Sequence, residues 1–138
     1  MAAPVISIYK DSSGTTIESD PISKTGLEYN RADPTANFIT VYIFNNRSNA
    51  SGIADLIEPK LFVKNESQTG WVRAKTGPKT STLEQYTVLG TDSDHGLSLG
   101  GTLSSNSYAE ITFILNPSSE PQLNTQYSFE IWLSGSYT

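Results

Sequence analysis

The chain has 138 residues, a mass of 15.0 kDa and a formal net charge of −5. That is the length of one domain (1–138), and a chain of this size buries roughly two-thirds of its unfolded surface without needing disulfide staples. The absence of cysteine excludes disulfides, thiolate zinc sites, iron–sulfur clusters and cysteine nucleophiles, the single histidine (His95) excludes an all-histidine metal cage within one chain, and the acidic balance disfavours nucleic acid, which needs a basic stripe.

The charged fraction is only 17%, whereas Ser and Thr fill 34 positions and Asn nine. Small neutral polar groups therefore replace much of the usual charged surface, and the 10% of aromatic residues argues against disorder. No Lys or Arg follows Lys79, so a face built from the last 59 residues repels nucleic acid and anionic lipid. The opening Met1-Ala2-Ala3-Pro4-Val5 lacks the basic and apolar regions of a signal peptide. No stretch approaches the roughly 20 apolar residues of a membrane helix. The expectation is synthesis in the cytoplasm, with no membrane partner.

Along the chain the hydrophobic period is two. Val5 to Tyr9 reads as a short strand with a hairpin partner at Thr15 to Glu18, and Gly26-Leu27-Glu28-Tyr29 begins another. Phe38 to Phe44 is the strongest strand, dense in β-branched and aromatic residues, and Asn45 to Gly52 closes it as a loop. Ile53 to Asn65 is ambiguous: Ile53, Leu56 and Ile57 have helical spacing, but Pro59 stops any helix, and Leu61 to Lys64 reads as strand. Strands are further expected at Trp71 to Ala74, Leu83 to Leu89, Tyr108 to Leu115 and Tyr127 to Leu133, the last alternating cleanly. Roughly eight or nine strands and no secure helix predict an all-β fold, an antiparallel β-sandwich of jelly-roll or Ig-like type.

A sandwich strand shows one apolar face to the core and one polar face to water. The strand at 38–44 violates this: Ile39, Val41 and Ile43 form one face, and Phe38, Tyr42 and Phe44 the other. Tyr108 and Ile114 stand opposite the apolar face of 108–115, and Trp132 breaks the polar face of the last strand. An exposed apolar patch on a small protein marks an interface. The alternative is that loops such as 45–60 or 117–125 cover that face. Phe38, Tyr42, Phe44, Tyr108 and Trp132 are the candidate contact residues.

Other motifs carry less. Gly96-Leu97-Ser98-Leu99-Gly100 fits the nucleophile-elbow pattern, but no helix follows and His95 precedes the serine, against the hydrolase order. Asp92-Ser93-Asp94-His95 is the densest set of potential metal ligands, yet the calcium-loop spacing fails and the same residues favour turns for backbone reasons. Exposed rings at Trp71 and Trp132 would suit stacking on sugars, although Trp71 reads better as core. Asn46-Arg47-Ser48, Asn49-Ala50-Ser51 and Asn65-Glu66-Ser67 match the glycosylation acceptor pattern, as chance allows in such a composition. No catalytic residue, cofactor or metal is therefore assigned.

Phe38 to Asn46, Ile53 to Ile57 leading into Leu61 to Asn65, Trp71-Val72, and the closing pair Tyr108 to Pro117 and Tyr127 to Leu133 resemble the small β-sandwich structural proteins of tailed bacteriophages. The resemblance implies a non-enzymatic virion component, a capsid decoration (cement) protein or another head, neck or tail part. It implies two partners, further copies of itself (a trimer being one form) and a larger viral lattice such as a major capsid or tail protein. The alternative function is a carbohydrate- or receptor-binding module at a tail or fibre tip.

Overall fold

The computed structural model describes residues 1–24, 27, 33–117 and 126–138. The strands are β1 (Ile6–Tyr9), β2 (Ile22–Lys24), β3 (Phe38–Asn45), β4 (Leu56–Lys64), β5 (Val72–Thr76), β6 (Thr87–Val88), β7 (Leu97–Ser98), β8 (Thr102–Leu103), β9 (Ser107–Leu115) and β10 (Tyr127–Ser136). One sheet has the order β1-β3-β9-β5-β6; the other has β2-β10-β4-β7, with β8 also paired to β4. All these pairings are antiparallel. Among the described residues the only helical turns are 3-10 turns at Leu83–Gln85 and Ser93–His95.

The period-two pattern explains the core. Val41 and Ile43 on β3, Ile111, Phe113 and Leu115 on β9, and Val72 and Ala74 on β5 point inward from the first sheet. Ile22 on β2, Leu61 and Val63 on β4, and Tyr127 and Phe129 on β10 answer from the second. Phe113 and Phe129, both fully buried, meet across the two layers with ring centroids 5.2 Å apart. Trp71 and Tyr127 meet at 5.0 Å. Burying a ring of this size stabilises the fold by about 1.5–3 kcal/mol.

Two sequence expectations are corrected. Residues 53–57 form no helix: β4 begins at Leu56 and continues through Pro59. Leu56 and Ile57 pair with β8, whereas Lys60 and Leu61 pair with β7, so the proline falls in the break between two partners. Glu58, with φ 50, sits in the same break. Residues 83–89 are not one strand but a 3-10 turn followed by the two-residue β6. The strand start expected at 26–29 and most of the 117–125 loop lie outside the described residues.

One polar group is buried by design of the corner it fills. Asn45, fully buried, accepts from the Val5 amide at 3.1 Å and donates to the Ala54 and Leu103 carbonyls at 3.0 and 3.1 Å. Asn46 beside it bonds both the amide and the carbonyl of Ala50, and also the Ser105 hydroxyl. Three distant segments are thus tied to the end of β3.

Candidate interaction surfaces

The five residues expected at an interface fall on two separate faces. Phe38, Tyr42 and Phe44 share the outer face of the first sheet with Tyr108, because Phe44 lies opposite Tyr108 in the β3–β9 register. Trp132 lies on the outer face of the second sheet, opposite Phe62. One continuous patch is therefore excluded.

On the first face, rings from three strands gather. Tyr9 meets Phe44 edge-on at 5.2 Å, Phe44 meets Tyr108 at 5.1 Å, and Tyr42 meets Tyr108 edge-on at 5.5 Å. Tyr108 is 45% exposed and Phe38 is 43% exposed, whereas Tyr42 is half-buried. The Tyr42 hydroxyl donates to Glu110 at 3.3 Å; burial and then the Glu110 charge hold its pKa above the ordinary value.

Phe44 is a correction: only 6% of it is exposed. The loop after β1 folds over it. Asp11 organises that loop, its carboxylate accepting from the Thr15 hydroxyl and from the Thr15 and Thr16 amides at 3.0 Å. Those bonds, the Thr15 hydroxyl first, hold the Asp11 carboxyl below the usual range. Arg47 closes the cover. Its guanidinium lies 5.8 Å from the Phe44 ring centre and donates to the Ser13 and Gly14 carbonyls. Gly14, with φ 66, packs so closely that a Cβ there would collide with Arg47 and stand 3.1 Å from the Phe44 ring.

A second segment covers the far side of the same face. Gly77 donates to the Glu110 carbonyl at 2.7 Å and accepts from the Thr112 hydroxyl at 2.9 Å. Thr112 and Ile114 are fully buried although β9 turns them outward. Tyr86 pins the segment by bonding both the amide and the carbonyl of Thr80, and the Lys79 ammonium lies 5.0 Å from the Phe38 ring centre. Among the described residues the covers thus come from 11–16 and 77–80, joined by Arg47 from the expected 45–60 loop.

The second outer face is built differently. Trp132 is 44% exposed and stacks with Phe62 at 6.3 Å. Lys64 places its ammonium 4.2 Å from the Trp132 ring centre. The indole N–H donates to Glu130 at 3.2 Å, and Glu130 also accepts from Asn65. Lys64 on the ring face works against stacking of a sugar there. The other tryptophan, Trp71, is buried in the core, as its sequence reading expected.

The remaining motifs resolve into local structure. Gly96 allows close packing, since a Cβ would stand 2.5 Å from the Leu61 carbonyl oxygen. Ser98 lies on β7 with its hydroxyl 3.4 Å from the Gly100 amide, and no helix follows it. His95 instead meets Asp92, Nδ1 to Oδ1 at 2.7 Å, while the same carboxylate accepts the His95 amide and caps the 3-10 turn. This contact raises the imidazole above its ordinary value and lowers the Asp92 carboxyl. Glu66 shares a shallow hollow with this pair; its burial raises its carboxyl, and one of its oxygens has no hydrogen-bond partner. Among the described residues no three His, Asp or Glu side chains converge as a metal cage.

One feature had no sequence signal. Between β1 and β10 the two layers part around an apolar cavity of about 450 Å³, lined by Ile6, Ile8 and Ile43 from one sheet and Ile131 and Leu133 from the other, with Ile17 at its mouth. A gap between strands far apart in the chain leaves no mark in either strand's periodicity. Comparison with known proteins finds no matching family model, no matching curated protein and no matching solved structure.

Proposed function

We propose that this chain is a non-enzymatic structural protein of a phage particle, a capsid decoration (cement) protein or another head–tail component, acting through protein–protein contacts. The observation that carries the proposal is that large aromatic rings stand nearly half exposed on the outer faces of both sheets: Phe38 and Tyr108 on one, Trp132 on the other. A sandwich with ring-bearing surface on opposite sides can be gripped on both at once, as a lattice component requires. A specific contact of this kind buries about 1,600 Å² in total, and aromatic anchors at its centre carry most of its energy. The viral setting is supported by the resemblance of the segments Phe38 to Asn46, Tyr108 to Pro117 and Tyr127 to Leu133 to virion sandwich proteins.

Native mass spectrometry at roughly 100 µM tests the proposal, a concentration at which even a weak homo-oligomer is populated. The wild-type chain is expected as a homo-oligomer. Phe38→Ser with Tyr108→Ser, or Trp132→Ser alone, is expected to lower the assembly state while the circular dichroism of the folded chain is kept. A wild-type chain that stays monomeric, or variants that assemble as it does, overturns the proposal. Glycan binding that is lost in Trp132→Ser would favour the receptor-binding alternative instead.

A further inference from the structure

The seam between β1 and β10 is open for a traceable reason. After β1 the chain turns back on the first sheet: Ile17 bridges Tyr9, and the Glu18 amide donates to the Ile8 carbonyl at 3.0 Å. It then crosses to the second sheet as β2, which pairs with β10 only over Tyr127 to Phe129. On its other side β10 is paired to β4 from Glu130 to Ser136. Beyond Phe129, therefore, no described strand occupies the β2 side of β10.

The backbone at this edge is free in a definite pattern. Ser128 turns its N–H and C=O toward Ser67 on the β4 side, both at 2.9 Å. Alternate residues of an antiparallel strand turn opposite ways, so Ile131 and Leu133 offer their N–H and C=O groups to the vacant side. The cavity lies directly beneath this edge, with Ile131 and Leu133 in its wall. Ile17 (70% exposed) and Ile6 (38% exposed) stand at its mouth, among the large apolar side chains the fold leaves in water. Glu18 and Asp20 line its rim, and among the described residues neither makes a salt bridge.

We propose that this seam binds an extended segment of a partner protein by strand addition, continuing the line of β2 along β10. The occupant has alternating small apolar residues, which enter the cavity, and a Lys or Arg where it passes the acidic rim. An unpaired edge over an apolar groove supplies both parts of this recognition, main-chain bonds for affinity and side-chain pockets for register. Two rim carboxylates on a chain of net charge −5 select a basic partner rather than another copy of this acidic chain. This inference goes beyond the assembly proposal: it concerns the seam between the sheets, which shares only Trp132 with the outer faces, and it would stand if the chain were monomeric.

The probe is a synthetic hexapeptide, acetyl-Lys-Val-Thr-Val-Thr-Val-amide, titrated into the full chain while amide NMR signals are followed. Binding is expected with shifts and slowed exchange at Ile131 and Leu133. Methylating the peptide's alternate backbone nitrogens that face β10 is expected to weaken it by roughly tenfold or more. Replacing its Lys by Glu, or Ile17→Asn in the protein, an exposed position that leaves the core untouched, is expected to weaken it several-fold. Absence of binding at millimolar peptide overturns the proposal, as does indifference to the methylation. Dodecylammonium filling the cavity while the peptide does not would mark the seam as a site for small amphiphiles and overturn it equally.

Discussion

The corner at Asn45 and the seam beside β10 both touch the start of the chain, and they are finished in opposite ways. At the corner, the Val5 amide and two distant carbonyls are satisfied by one fully buried side chain. At the seam, Ile6 and Ile8 border a cavity, and the neighbouring β10 edge has no strand beside it. A buried polar junction costs stability when any partner is missing, so it is completed internally. An apolar gap at a sheet edge can be left for something else to complete.

Breaking the corner should therefore have the largest effect. Asn45→Leu keeps the branched side-chain skeleton but strands one amide and two carbonyls, and should lower stability by about 3–5 kcal/mol in urea unfolding. Leu133→Ala in the wall of the seam should cost less, about 1–2 kcal/mol, because its neighbours already border empty space and lose fewer contacts. Equal costs at the two positions would erase the contrast. Gly14→Ala, in the cover over Phe44, should fall in the same range as Leu133→Ala. Its left-handed backbone and the collision with Arg47 should cost about 1–2 kcal/mol and open the cover over Phe44, read as increased dye binding at the tyrosine cluster.

The smallest effect sits in the exposed turn at His95. Its raised folded value means the contact stabilises the fold fully below the ordinary value of 6.5 and is lost as pH rises through the folded value. The lowered value of Asp92 means its share is present above 3.8 and lost as pH falls through its own folded value. Both groups are charged between these limits. Asp92→Asn should return the imidazole titration, followed by NMR, to near 6.5 with no measurable change in unfolding, because both side chains are in water.

What the sequence made legible follows from length and periodicity. Strands β3, β9 and β10 are long, alternating and rich in β-branched or aromatic residues, and all three lie where the pattern puts them. The two-residue strands β7 and β8 are too short to hold a period, and β2 has only three residues. The spacing of Ile53, Leu56 and Ile57 imitates a helix because β4 changes partner at Pro59. For the surfaces, alternation correctly sends Phe44 and Trp132 outward. It cannot tell that the loop organised by Asp11 returns to bury the first and leaves the second exposed, since that outcome depends on residues some 30 positions away.

The two tryptophans give the molecule a built-in optical reporter. Trp71 is sealed against Tyr127, whereas Trp132 meets water beside the Lys64 ammonium. A collisional quencher such as iodide reaches only the second indole, and the lysine draws that anion toward it. Loss of the quenchable fraction would therefore register the moment something settles on the outer face of the second sheet, without any label being attached.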